Sequence, residues 1–319
     1  MNKLWKNRCV GLALGSGGAR GWAHLGVLQA LREKEVRVDL VAGTSMGALV
    51  GAFFAAGRES VLRELADDLD WRRLRQFFWE VSLSRSGLTD GRRLTEELRK
   101  LIGVKEFREL DLPFRAVATD LGTGGEVVLS SGNVLQALRA SFSIPGVFSP
   151  VRLSKRLLVD GGLVNPVPVN VARAMGAQKV IAVDVSPNAG PKEMPLLPVQ
   201  KERESVRGPL ILPKERAEEE RWGAARMLDR FVAEIEKKAM QLRDSVKDAA
   251  SKPAVAEVLT RSVLIMEAQI ARSRRRVEPP DLLVEPNVGN IGTLEFQRAE
   301  ESIAAGYAAA MQVLDGAGM

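Results

Sequence analysis

At 319 residues, with 45% hydrophobic and 27% charged side chains, the chain is long enough for one large α/β domain and too ordinary in composition for a fibrous or disordered protein. Its net charge of +6 is a mild surplus that fits solubility or contact with an anionic lipid surface, and it is not read as nucleic-acid binding. The single cysteine, Cys9, excludes an intrachain disulfide and permits a reducing compartment, and no apolar run approaches the roughly 20 residues that span a bilayer.

The first element is the short apolar run CVGLALG, residues 9–15, which reads as a buried strand stopped by glycine. With Lys3, Lys6 and Arg8 ahead of it, the run superficially resembles a leader peptide. It is too short for one and runs straight into a glycine loop, so a strand and turn is the better reading, and cytoplasmic residence is expected. GWAHLGVLQALREK, from Gly21, reads as a helix, VDLVAGTS as a second strand, and MGALVGAFFAAG as a second helix closed by Gly57. Strand, helix, strand and helix in succession predict a parallel sheet. Further strands are expected at 114–121, 156–161, 179–186 and 281–286, with helices at Asn133–Ser141 and Val169–Met175.

From 187 to 253 the composition changes. A segment rich in proline and charge precedes an amphipathic pattern from Lys214 to about Asp248, with Leu228, Phe231, Val232, Ile235, Ala239, Leu242 and Val246 at helical spacing. That span carries nine basic and nine acidic residues, a balance that fits a solvated helix packed on protein better than one lying in lipid. The segment reads as an insertion in the α/β domain and a candidate surface for a protein partner.

Gly43-Thr44-Ser45-Met46-Gly47 fits G-x-S-x-G between an apolar strand and an alanine-rich helix. In that context the tight turn presents Ser45 as a nucleophile, with glycines two residues either side letting strand and helix approach. The loop Gly15-Ser16-Gly17-Gly18-Ala19-Arg20-Gly21 fails the dinucleotide pattern, since Arg20 stands where its last glycine belongs, and it lacks the lysine of a P-loop. It can serve as an oxyanion hole. The loop after strand one and the elbow after strand two lie side by side, which brings the amides of Gly17 and Gly18 near Ser45, with the Met46 amide as a further donor.

His24, the only histidine, lies on the helix that this loop opens, and its expected direction is wrong for a base serving Ser45. A packed or locally bonded helix histidine is the preferred reading. Among carboxylates, Asp160 in LLVDGGLVNPVPV ends an apolar strand before Gly161-Gly162. Burial would raise its pKa enough for base chemistry. The motif alone fits equally well an aspartate capping its own turn.

The order GSGGARG, GTSMG and DGG, together with ASFSIPGVFSPV at 140–151 and VNPVPV after the aspartate, resembles the patatin-like phospholipases, specifically the bacterial members related to the neuropathy target esterase catalytic domain. The late stretch PPDLLVEPNVGNIGTLEFQRAEESIAAG is similar too. The resemblance implies one domain over 8–310 with its insertion at 187–253. The implied fold is a three-layer α/β/α architecture with a mostly parallel sheet. For the site it implies a Ser45–Asp160 dyad and an oxyanion hole at Gly17 and Gly18, with no metal or cofactor. The implied chemistry is hydrolysis of a phospholipid or other acyl-ester lipid through an acyl-enzyme, with peripheral contact at a membrane. Arg20 would then brace the loop or meet a lipid head group, or serve as a plain structural arginine. Ser16 stands where the family often has glycine. Acyl transfer by the same dyad, or a binding regulator of weak activity, are the rival readings.

Overall fold

The computed structural model describes residues 5, 7–67, 91–186 and 255–319. The chain divides into two compact units, Met1–Met194 with Val258–Met319, and Pro195–Glu257. The expected insertion at 187–253, with its amphipathic helix, lies outside the described residues.

Among the described residues, eight strands form one sheet: β1 Val10–Leu14, β2 Leu40–Thr44, β3 Phe114–Asp120, β4 Glu126–Leu129, β5 Val151–Leu153, β6 Arg156–Asp160, β7 Lys179–Val183 and β8 Leu282–Val284. The order is β5-β6-β3-β2-β1-β7-β8, with β4 also paired to β3. Strands β3, β2, β1, β7 and β8 are mutually parallel, while β4 and β6 run against β3, and β5 against β6. The sheet is therefore mixed and mostly parallel, with its antiparallel part at one end.

The parallel strands are apolar at nearly every position because both faces are covered. Side chains alternate between the faces. Leu12, Leu14, Val41, Ile181 and Val183 join a core with the helices α1 Ala23–Glu33, α2 Met46–Ala55 and α8 Ala299–Gly316. Ala13, Leu40, Ala42, Val180 and Ala182 face the other way, onto α6 Val169–Ala174 and Ala271 of the long helix α7 Val255–Val277. Burial of this kind contributes about 25 cal/mol per Å² of apolar surface. Helices α3 Glu59–Asp67, α4 Arg92–Ile102 and α5 Val134–Ser141 complete the described set. Asn133 caps α5 by accepting from the Gln136 amide at 2.9 Å. The helix expected from Gly21 starts as a 3₁₀ turn, Gly18–Trp22, before α1 proper.

Candidate active site

Ser45 sits between β2 and α2 with φ 55° and ψ −119°, a conformation that costs a non-glycine residue about 1–3 kcal/mol. The strain persists because the surroundings leave no alternative. The Ser45 amide donates to Ser141 Oγ at 2.9 Å, and that hydroxyl donates onward to the Val117 carbonyl at 2.6 Å. A Cβ on Gly47 would lie 2.2 Å from the Leu14 carbonyl oxygen, so only glycine lets α2 start this close to β1.

Asp160 reaches Ser45 through strand register. On β3, Val117 pairs with Thr44 of β2, and the next residue, Ala118, pairs with Asp160 of β6. The last residue of β6 is thereby level with the elbow. The parallel strands β2 and β3 end at the carboxyl rim of the sheet. Strand β6 is antiparallel, so it descends from that rim, and its final residue stops beside Ser45.

Ser45 Oγ donates to Asp160 Oδ2 at 2.6 Å. The other oxygen, Oδ1, accepts the Gly162 amide at 2.8 Å. The Asp160 backbone is held on both sides, its amide donating to the Ser143 carbonyl at 3.0 Å and its carbonyl accepting from Thr119 Oγ1 at 2.7 Å. At 1% exposure the carboxyl group is desolvated. Burial pushes its pKa up to about 6, against the opposing pull of the bonds from Ser45 and Gly162.

The glycine loop is pinned by its flanks. Gly15, Ser16 and Ala19 donate their amides to Val183, Pro166 and Thr293 carbonyls at 3.0, 2.8 and 2.8 Å, and Arg20 donates to the Gly17 carbonyl at 3.3 Å. No acceptor for the Gly17 or Gly18 amides is found among the described residues. Gly18 has φ +56°. Gly17, Gly18, Ser45 and Asp160 line one small cleft, and Met46 opens α2 directly after the serine. Val263, Leu264 and Glu267 of α7 line the same cleft, which leaves room for about one water molecule.

His24 is fully buried, and its Nε2 lies 2.8 Å from the Gly15 carbonyl oxygen. A carbonyl only accepts, so Nε2 carries the proton. Burial pulls the imidazole pKa down to about 4, so the ring is neutral. It leans back toward the start of its helix, as helical side chains do, and braces the loop from beneath. Arg20 is 3% exposed and donates from Nη1 to the Ile291 carbonyl at 3.3 Å, the position of a loop brace and not of a group lining the cleft. Among the described residues, no cluster of three or more His, Cys, Asp or Glu side chains is placed to hold a metal ion, and no helix is long and apolar enough to cross a membrane.

Sequence reasoning missed two residues of the site. Ser141 had a signal, since it lies within ASFSIPGVFSPV, but nothing local announces that its hydroxyl holds the Ser45 amide. Glu267 had none, because a glutamate on a charged helix reads as solvated surface.

The fold and site define an α/β/α protein with a serine held on a strand–helix elbow beside a buried aspartate. More particularly, the chain belongs to the patatin-like phospholipase family, whose model matches residues 12–173. An uncharacterized NTE family protein of Mycobacterium tuberculosis is 36% identical, over 96% of this chain and 91% of its own. Patatin-like phospholipase domain-containing protein 6 of Mus musculus is 36% identical over 55% of this chain, which corresponds to 13% of that protein. Among solved structures, VipD from Legionella pneumophila is similar with a TM-score of 0.48 and 14% identity, covering 97% of this chain and 67% of that one.

Proposed function

We propose that the protein is a serine lipid acyl hydrolase of phospholipase A, lysophospholipase or esterase type, with Ser45 as nucleophile and Asp160 as its base. The 2.6 Å hydrogen bond between their side chains, in a chain of the patatin-like phospholipase family, carries this reading. Ser45 Oγ attacks the ester carbonyl carbon while its proton passes to Asp160 Oδ2. The carbonyl oxygen becomes an oxyanion facing the Gly17, Gly18 and Met46 amides. Stabilisation by one such donor typically amounts to about 3–4 kcal/mol in the transition state. Collapse breaks the ester C–O bond, and the Asp160 proton goes to the departing alkoxide. Water then attacks the acyl-serine, Asp160 takes its proton, and the fatty acid leaves as that proton returns to Ser45.

A carboxyl group with a pKa near 6 suits this work, being ionised at neutral pH yet more basic than an exposed aspartate. His24 is unsuited, because its Nε2 proton is already donated to Gly15. The substrate class is an acyl ester presented at or from a lipid surface, met by peripheral contact in the cytoplasm. Turnover of a chromogenic short-chain ester tests the core of this reading. Ser45→Ala, shown by circular dichroism to be folded, is expected to lose at least about three orders of magnitude in kcat, and retained activity would overturn the reading. Incubation with a mixed lipid extract, with and without an added alcohol acceptor, identifies the bond cleaved and separates hydrolysis from acyl transfer.

A further inference from the structure

Among the described residues, Glu267 is the carboxylate that α7 sends into the cleft. It lies far along the chain from both Ser45 and Asp160, yet it lines the same small space as they do. Its Oε2 accepts a hydrogen bond from Ser16 Oγ at 3.1 Å. It stands against Asp160 as well. A Cβ built on Gly162 would meet Glu267 Oε1 at 2.2 Å and Asp160 Oδ1 at 3.1 Å, so the two carboxyl groups border the same space, which a side chain at position 162 would fill.

We propose that Glu267 must be neutral for turnover, because its charge decides whether the cleft can accept the negative charge of the tetrahedral intermediate. This inference rests on the reading of Ser45 and Asp160 as the reacting pair. Two carboxylates in one dry pocket do not both ionise readily, since each disfavours the charged form of the other. With one proton between them, the charge rests on Asp160, whose two oxygens accept from Ser45 Oγ and the Gly162 amide, and Asp160 receives the serine proton. Glu267 keeps its own proton and adds no charge beside the oxyanion. When Glu267 ionises, a second negative charge stands next to the developing oxyanion, and the transition state is disfavoured.

The groups that face Glu267 fit this assignment. Asp160 at the end of β6 repels its charged form, and Arg20 in the 3₁₀ turn attracts it. The Arg20 guanidinium is shared with Asp184, which follows β7 and also pairs with Arg275 of α7 at 3.4 Å. His24 on α1 is neutral and bonded to Gly15. Burial is the largest influence, and with the nearby Asp160 it pushes the Glu267 pKa up to about 8.

The kcat/KM–pH profile of the purified full chain on a soluble ester tests the proposal. The wild type is expected to show a bell, rising near pH 6 and falling near pH 8. Glu267→Gln keeps the shape and cannot ionise, so its alkaline limb should disappear and the plateau extend beyond about pH 9. An alkaline limb at the same pH in Glu267→Gln and wild type overturns the proposal while leaving the Ser45 reading intact. Should Glu267→Gln fail to fold, Ser16→Ala substitutes for it. Loss of the hydroxyl donor removes a bond that favours the ionised carboxylate, so the limb should move upward, and an unmoved limb again overturns the proposal. Carbon-13 NMR of carboxyl-labelled glutamate supplies a readout independent of activity. One glutamate should titrate near pH 8, vanish in Glu267→Gln, and move down in Asp160→Asn. No glutamate titrating above about pH 6 would overturn the proposal even if no ester is turned over, which is the separate failure of the Ser45 reading.

Discussion

The Nε2 of His24 and the carbonyl oxygen of Gly15 are 2.8 Å apart, and this bond ties the first turn of α1 to the loop that faces Ser45. The chain's single histidine therefore supports the loop from inside the core. It is not within the hydrogen-bond network of the serine, which runs instead to Asp160 and Ser141.

His24→Ala is accordingly expected to act on stability far more than on chemistry. It orphans a buried carbonyl and leaves a void, together about 2–4 kcal/mol, which chemical denaturation measures. The ester turnover that remains should exceed that of Ser45→Ala by orders of magnitude, and equal losses would mean that the imidazole is the base. The pH dependence has a definite sign. The folded protein keeps the ring neutral down to about pH 4, whereas the unfolded chain takes up a proton below about 6.5. Across that window the unfolded state binds more protons, so this group adds stability as pH rises and loses it on acidification. Asp160 runs the opposite way between about 4 and 6, since its folded pKa is raised. The histidine contribution is therefore read as the difference between wild type and variant, which should shrink on going from pH 7 to 4.

Asp160→Asn tests the base. The amide keeps the shape and can still hydrogen-bond Ser45, but it cannot accept its proton. Turnover should fall by about 10²–10⁴-fold, the usual contribution of a positioned base, while circular dichroism stays native. The acid limb near pH 6 should disappear from any residual activity, and a residual profile with the limb unchanged would assign that limb to another group.

Much of this arrangement was legible in the sequence, and the part that was not has a physical reason. Strands β1, β2 and β7 are buried on both faces, so they stand out as short apolar runs, and the elbow between β2 and α2 is marked by G-x-S-x-G with a strand before it and a helix after it. The short edge strands β4 and β5 gave no such signal, since residues such as Glu126 and Arg152 interrupt any apolar pattern. The strand–helix elbow that carries Ser45 was identifiable from local pattern. The alignment of Asp160 with it depends on antiparallel pairing to β3, which pattern reading does not provide. Glu267 is brought in by packing of α7 against the sheet, a tertiary fact with no local trace.

Ser141→Ala should separate support of the elbow from chemistry. It removes the acceptor for the Ser45 amide and leaves that buried N–H without a partner, a loss of about 1–3 kcal/mol. Released from that bond, the strained turn should relax and misdirect Oγ. The expected signature is a fall in kcat with little change in KM for a short ester, whereas a rise in KM alone would place Ser141 in substrate binding.

Gly47→Ala should be much more damaging than its single methyl group implies. The added Cβ would lie 2.2 and 2.5 Å from the backbone oxygens of Leu14 and Gly15, neither of which can rotate aside. Separation of α2 from β1 is the remaining escape, and it would break the core around Leu14 and the loop at once. No soluble folded protein is expected at 37 °C, and a native melting transition for this variant would show that the elbow is more pliable than its geometry implies.

The cleft above Ser45 has room for about one water molecule, yet an acyl ester must bring a carbonyl carbon and part of its chain to the serine. Val263 and Leu264 line that space, while Ile265 and Met266 on the opposite side of the same helix are 49% and 50% exposed. If substrate enters with α7 in this position, Leu264→Ala should raise kcat/KM several-fold for a butyrate ester and less for an acetate ester, because the added room is useful only to the longer chain. If α7 swings clear before the ester binds, the truncation changes both rates in parallel. Stopped-flow turnover of the two esters by wild type and variant distinguishes a fixed wall from a moving one, and the ratio of the two rates is insensitive to the amount of active protein.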